Sequence, residues 1–269
     1  MDQVADKDRS VAGSQTLMRG LDVIEAVAHG HDTLPRLAEA LGLTRSTAHR
    51  LAASLVERRY LAFTPREGYR LGAQLLSLGH QAQEQADIVQ VARPHIEALA
   101  AASEDTVHLG VIDADQALYL DKVPGRRRIT ISSRVGDRHP LTSTGLGKAL
   151  MLDRTPDYWA ARLAHEQADG DAVGWQGRMA SYVAAGRAFD LEENEDQIRC
   201  VAAPIRNAAN AIVAAISVSS AAQYMDDGRM QTLSREVRDT ARAISNELGW
   251  KDMRPPTDAI SQRNSRDAA

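Results

Sequence analysis

The chain has 269 residues, 43% of them hydrophobic and 25% charged, with a formal net charge of -4. That is the composition of a globular protein long enough for two cores, and no apolar run approaches the roughly 18 to 20 residues that a membrane-spanning helix needs. One cysteine, Cys200, excludes an intrachain disulfide and a thiolate-rich zinc site.

Residues 1–14 are polar, without the apolar stretch of a secretion signal, so a flexible arm and a cytoplasmic protein are expected. From Gln15, Leu17, Leu21, Ile24 and Val27 recur on one helical face as far as His29-Gly30. Such a helix can close a small core and still leave apolar surface for a second copy of the chain.

Leu34, Leu37, Ala38 and Leu41 follow at helical spacing, and Gly42 supplies the tight turn that ends their helix. Thr44 is a good N-cap for the next one. Behind it, Ala48, Leu51, Ala52 and Leu55 mark an inward stripe, which leaves Arg45, Ser46, His49, Arg50 and Ala53 outward. Residues 60–63 and 69–71 read as the strands of a hairpin, with Arg66 at its tip and Arg70 on the return strand.

Helix, turn, helix and hairpin in that order describe a winged helix-turn-helix. An outward face carrying guanidiniums, a hydroxyl and an imidazole is what a helix entering a DNA major groove needs. Between Leu34 and Gly72 seven arginines, Arg36 among them, face three glutamates, a local excess of +4 in a chain of opposite net sign. Solvated arginines on an ordinary helical hairpin would explain neither that asymmetry nor that order.

Residues 71–90 read as a linker helix rich in Ala and Gln. The second domain opens with a helix over 94–102 whose first residue is Pro94. Strands are expected at 106–112, 117–123 and 129–135, with Arg126, Arg127 and Arg128 as a solvated edge. A polar loop, 139–150, leads into a helix. Helices at 156–165 and 174–188, an acidic turn at 189–194, strands at 198–205 and 212–219, and a long last helix from Met230 to Leu248 complete an α+β sandwich on an antiparallel sheet.

Thr142-Ser143-Thr144 ahead of Gly145-Leu146-Gly147 is either an anion-binding corner or a plain cap with glycines for close packing, and the two readings stand even. Ala149 after Gly147-Lys148 argues against a nucleotide P-loop. Cys200 has apolar neighbours and reads as a core thiol. The acidic run 190–196 lacks the glycine and spacing of a calcium loop, so a solvated turn is expected; the histidines have no ligand spacing. Ser217 and Ser219 share one strand face, where inward hydroxyls either hydrogen-bond or line a cavity.

From Gln15 to about Trp250 the chain resembles the IclR family of bacterial transcription regulators. The likeness is carried by Met18-Arg19-Gly20-Leu21-Asp22-Val23-Ile24, Leu43-Thr44-Arg45-Ser46-Thr47-Ala48-His49-Arg50-Leu51 and Tyr69-Arg70-Leu71-Gly72. Further along it rests on Pro140-Leu141-Thr142-Ser143-Thr144-Gly145-Leu146-Gly147-Lys148-Ala149-Leu150, Asp190-Leu191-Glu192-Glu193-Asn194, Cys200-Val201-Ala202-Ala203-Pro204-Ile205 and Ala215-Ile216-Ser217-Val218-Ser219.

The resemblance implies a dimerising winged helix (15–75), a linker helix (76–91) and a GAF-like effector-binding domain (92–250) that often tetramerises, with arm 1–14 and a disordered tail 251–269 outside them. It implies contacts to a palindromic double-stranded DNA operator from Arg36, Thr44, Arg45, Ser46, Thr47, His49, Arg50, Arg66 and Arg70. A small carboxylic acid, sugar or aromatic, would meet His139, Thr144, Gly145, Leu146, Asp190, Ile198, Cys200, Ser217 and Ser219. No cofactor, metal or membrane partner is expected. The function that follows is a metabolite-responsive repressor of a nearby catabolic operon. Left open beside it are an activator of the same architecture, a ligand-blind DNA-binding assembly protein, and a Cys200-dependent enzyme carrying a DNA-binding domain.

Overall fold

The computed structural model describes residues 15–128, 131–166 and 171–252. Arm 1–14 lies outside these residues, as does the tail beyond Asp252. The chain forms two compact units, the first ending at Gln85 and the second opening at Ala86.

In the first unit α1 (Gln15–Ala28), α2 (Leu34–Ala40) and α3 (Arg45–Glu57) enclose a small core, and β1 (Leu61–Thr64) and β2 (Gly68–Leu71) form the wing. Helix α1 buries Val23, Ala26 and Val27; of the expected stripe Val27 is buried and Ile24 half-buried, whereas Leu17 and Leu21 are 64% and 45% exposed. Gly42 has φ +61°, the left-handed turn that lets α3 start three residues later. The wing is seated by the Tyr69 amide, which donates to Asp32 O at 2.7 Å, and Gly68 is required there because a Cβ would stand 2.2 Å from that oxygen.

The expected linker helix over 76–91 is two helices. α4 (Ala73–Gln85) stops, and Asp87 caps α5 (Ile88–Ser103) by accepting from the amides of Val89 and Gln90. Helix α5 therefore begins six residues before Pro94, which lies in its interior. The bond a proline cannot donate is lost there, and burial of Ala92, Ile96, Leu99 and Ala100 outweighs that loss.

The second unit is built on one antiparallel sheet. Its strands are β3 (Thr106–Asp113), β4 (Gln116–Val123), β5 (Arg138–His139), β6 (Ala188–Leu191), β7 (Ile198–Arg206) and β8 (Ile212–Ala221), in the order β5-β4-β3-β8-β7-β6. α5 and the last helix, α9 (Asp227–Glu247), cover one face; α6 (Gly145–Leu150) lies on the other, beside α7 (Pro156–Glu166) and α8 (Ala172–Ala185).

Three expectations are corrected. Residues 131–135 are not a strand, and 129–130 lie outside the described residues; the third strand of the first group is the two-residue β5. Residues 188–191, expected as helix end and acidic turn, form edge strand β6. Arg127 is no solvated edge residue, since its Nε donates to the buried Asp105 at 2.8 Å. Arg229 and Ser220 complete that carboxylate's partners.

Candidate functional site

In the first unit the recognition surface begins at the cap of α3. Thr44 Oγ1 accepts from the Thr47 amide at 3.3 Å and bonds the Thr47 and Ser46 hydroxyls at 2.9 and 3.1 Å, so the hydroxyl cluster at this end is ordered before any partner arrives. Ala48, Leu51 and Ala52 are buried as expected, whereas Thr47 is half-buried against the core.

Arg45, Ser46, His49 and Arg50 are exposed on the opposite side, and so are Arg66, at the wing tip with φ +75°, and Arg70 on β2. Among the described residues no carboxylate pairs with Arg45, Arg50, Arg66 or Arg70; Arg36 alone of the predicted arginines is held, by Asp32 at 3.1 Å. Four unpaired guanidiniums on one small unit are an anion-binding surface.

In the second unit strand register decides which side chains meet. Asp190, Cys200, Ser219 and Thr106 form one cross-strand row, and Ala188, Ala202, Ser217, His108 and Lys122 the next; Tyr119 stands opposite Gly110 and His139 opposite Ala117. Residues directly opposite share a face, so these rows line the side covered by α6. Ile198, two residues before Cys200, falls on that face at its half-buried end.

Helix α6 comes close because Gly145 has no side chain. A Cβ there would stand 3.1 Å from Cys200 Cβ and 3.4 Å from the Asp190 nitrogen. At Gly110 a Cβ would collide with Leu146 at 2.9 Å, so that glycine makes room for the predicted pocket leucine.

The Thr144 side chain is a cap, donating to Pro140 O at 2.7 Å and accepting from the Gly147 amide at 3.0 Å. Its hydroxyl is thereby occupied. The loop before it is held by the Glu166 carboxylate on the Leu141 and Thr142 amides, and by Trp175 Nε1 donating to Thr142 O. Among the described residues the amides of Gly145 and Leu146 have no acceptor.

Asp190 is a buried strand residue, 2% exposed, rather than part of a solvated turn. Burial pushes its carboxyl up to about 6, against the pull of Lys148 and the Glu193 amide. Lys148, unassigned from the sequence, is buried and spans from Phe189 O to the Glu193 carboxylate, tying α6 to the chain beyond β6. Cys200 Sγ and Ser219 Oγ share a hydrogen bond at 3.1 Å, and burial raises the thiol far above its ordinary range. A protonated thiol without an adjacent base is no nucleophile.

Sequence reasoning missed His108 and Tyr119. His108 is buried and held neutral, its pKa pushed down to about 3 by desolvation with lesser contributions from Lys122 and His139. Its Nε2 bonds the Ser133 hydroxyl at 2.7 Å. The Tyr119 ring lies between two imidazoles, with centroids 4.8 Å from His108 and 4.5 Å from His139. Only the alternation of β3 and β4 could have placed these two on the site face. Among the described residues no cluster of His, Cys, Asp or Glu could hold a metal ion.

Models of the IclR helix-turn-helix domain and of the bacterial transcriptional regulator IclR C-terminal domain match residues 16–65 and 80–246. The DNA-binding transcriptional repressor YiaJ of Escherichia coli is 30% identical over 261 residues, covering 92% of this chain and 93% of that one. In fold the chain is similar to HmgR of Pseudomonas aeruginosa, with TM-score 0.79, 21% identity and coverage of 89% of this chain and 100% of that one. It is also similar to an IclR homologue from Microbacterium hydrocarbonoxydans complexed with 4-hydroxybenzoate, with TM-score 0.54, 21% identity and coverage of 87% and 99%. Winged helix, antiparallel sheet domain and both family matches agree: this chain belongs to the IclR family of DNA-binding, non-enzymatic transcription regulators.

Proposed function

We propose that the protein is a repressor of a nearby catabolic operon, bound to a palindromic operator as a dimer or a dimer of dimers and released by a small organic acid. The observation that carries the DNA half is the outer face of α3, where Arg45, Ser46, His49 and Arg50 are exposed and neither arginine is spent on a carboxylate. Phosphate contacts from Arg36, Arg66 and Arg70 supply affinity, and Thr44, Ser46, Thr47, His49, Arg45 and Arg50 position and read. Leu17, Met18 and Leu21, exposed on α1, are the surface offered to a second copy.

The effector half rests on the convergence of Asp190, Cys200, Ser217, Ser219 and His139 around Gly145 and Leu146. A carboxylate set against the two free amides is favoured when Asp190 carries its proton. Ile198 and Thr144 complete the walls. Coupling runs along 71–90, and requires that the effector bind the two DNA-binding arrangements unequally.

The test is a gel-shift titration on the chain's own upstream DNA at several salt concentrations. Salt-sensitive, sequence-preferring binding that weakens with Arg45→Ala or Arg50→Ala by about 1 to 3 kcal/mol is expected. Wild-type affinity in both variants refutes the reading helix, and binding that no organic acid relieves refutes the effector half.

A further inference from the structure

We infer that the effector carries a hydroxyl group, and that His139 and Tyr119 are the residues that select for it. The inference rests on the effector reading above and goes beyond it by naming a polar, uncharged end of the ligand and the side chains that hold it.

Three hydrogen-bonding atoms on the α6 face lack a partner among the described residues. His139 Nε2 is buried and unpaired. The Tyr119 hydroxyl, on a residue 8% exposed, and the Ser217 hydroxyl, on a residue 1% exposed, make no hydrogen bond either, though neither atom is sealed from open space. Nearby groups that could have served are occupied. Ser219 bonds Cys200, His108 bonds Ser133, and Lys122 Nζ donates to Ile131 O and Ser133 O at 2.7 and 2.6 Å.

Native proteins rarely leave a buried atom such as His139 Nε2 unpaired, because burying a donor or acceptor without a partner forfeits its bonds to water. A buried unpaired nitrogen stacked on Tyr119, with two hydroxyls free on the same face, points to a ligand that completes them. Its character follows from theirs. Desolvation lowers the His139 pKa, so the imidazole is neutral near pH 7, and Tyr119 keeps its proton because burial raises its pKa. No arginine stands in these rows; Lys122 does, with its Nζ held by two backbone carbonyls, and Lys148 is spent on Glu193.

A second carboxylate would find at this end only Lys122, whose Nζ is already held by the Ile131 and Ser133 carbonyls. A hydroxyl can both donate to and accept from a neutral imidazole, a phenol and a serine. The ring stack on Tyr119 fixes the His139 plane, so the Nε2 direction is set in advance.

The test uses the full-length protein, with His139→Phe, which keeps a ring against Tyr119, and Tyr119→Phe. Thermal melting is followed with matched acids at millimolar concentration: 4-hydroxybenzoate against benzoate, and gluconate against hexanoate. At least one hydroxylated acid is expected to raise the wild-type midpoint while its deoxy counterpart does not, and either variant should bind it about three- to tenfold more weakly. Ligand-free His139→Phe should melt above wild type, because it no longer buries an unpaired nitrogen.

Equal binding of a hydroxylated acid by wild type and both variants, or equal binding of the members of a pair, overturns the inference while leaving the effector site in place. A ligand-free His139→Phe that melts below wild type also overturns it, since the imidazole would then be structural. If no acid of the set moves the wild-type midpoint, the effector reading falls and this inference with it.

Discussion

Replacing Asp190 by Asn should reverse part of the pH dependence of stability. The carboxyl is 2% exposed on β6, and burial raises its pKa from an ordinary 3.8 to about 6 although Lys148 and the Glu193 amide pull the other way. The native state therefore holds its proton where the unfolded chain has lost it. Stability from this group is complete below about pH 4 and is lost as pH rises through about 6. A shift of about two pKa units amounts to about 3 kcal/mol. Asn titrates nowhere in this range, so the unfolding free energy of Asp190→Asn minus that of wild type should grow by about 3 kcal/mol between about pH 4 and 7.5. Urea titrations at fixed protein concentration measure it, and other groups cancel in the difference. A constant cost of burying the amide shifts the curve without tilting it. A difference that stays flat, or falls with pH, refutes the assignment of a strained carboxyl at this position. Retaining an acid at that cost fits a site whose ligand, rather than its fold, makes use of the proton.

Thr44→Ala removes the cap on α3 and should cost about 1 kcal/mol in thermal unfolding, with operator affinity falling alongside, while Thr44→Ser restores both. Asp105→Asn leaves Arg127 and Arg229 facing an uncharged partner in a buried network, and denaturant unfolding should show a loss of about 3 to 5 kcal/mol. Gly145→Val places branches where a Cβ alone already stands 3.1 Å from Cys200; a loss of about 1 to 3 kcal/mol is expected, together with disappearance of any melting shift that organic acids give wild type.

The winged helix was readable because nearly all its instructions are local. The stripe at Ala48, Leu51 and Ala52, the turn at Gly42, the cap at Thr44 and the hairpin around Gly68 each act over a few residues, and the structure places them where the pattern put them. Where the local pattern failed, a competing contact won. Pro94 looked like a helix start, but Asp87 offers a side-chain cap about two turns earlier. Arg127 looked solvated, but its partner Asp105 is 22 residues away.

Residue types and order alone determined that this chain pairs a basic reading head with an antiparallel sheet domain, since helical period, strand alternation and cap chemistry survive without tertiary context. The content of the sheet domain's site was decided only in three dimensions. His108, Tyr119 and His139 stand on three strands, and whether they meet depends on the β3–β4 register, with its irregularity between Leu109 and Gly110. A shift of one residue between β3 and β4 would put His108 and Tyr119 on opposite faces, and nothing in the neighbouring sequence records which register wins.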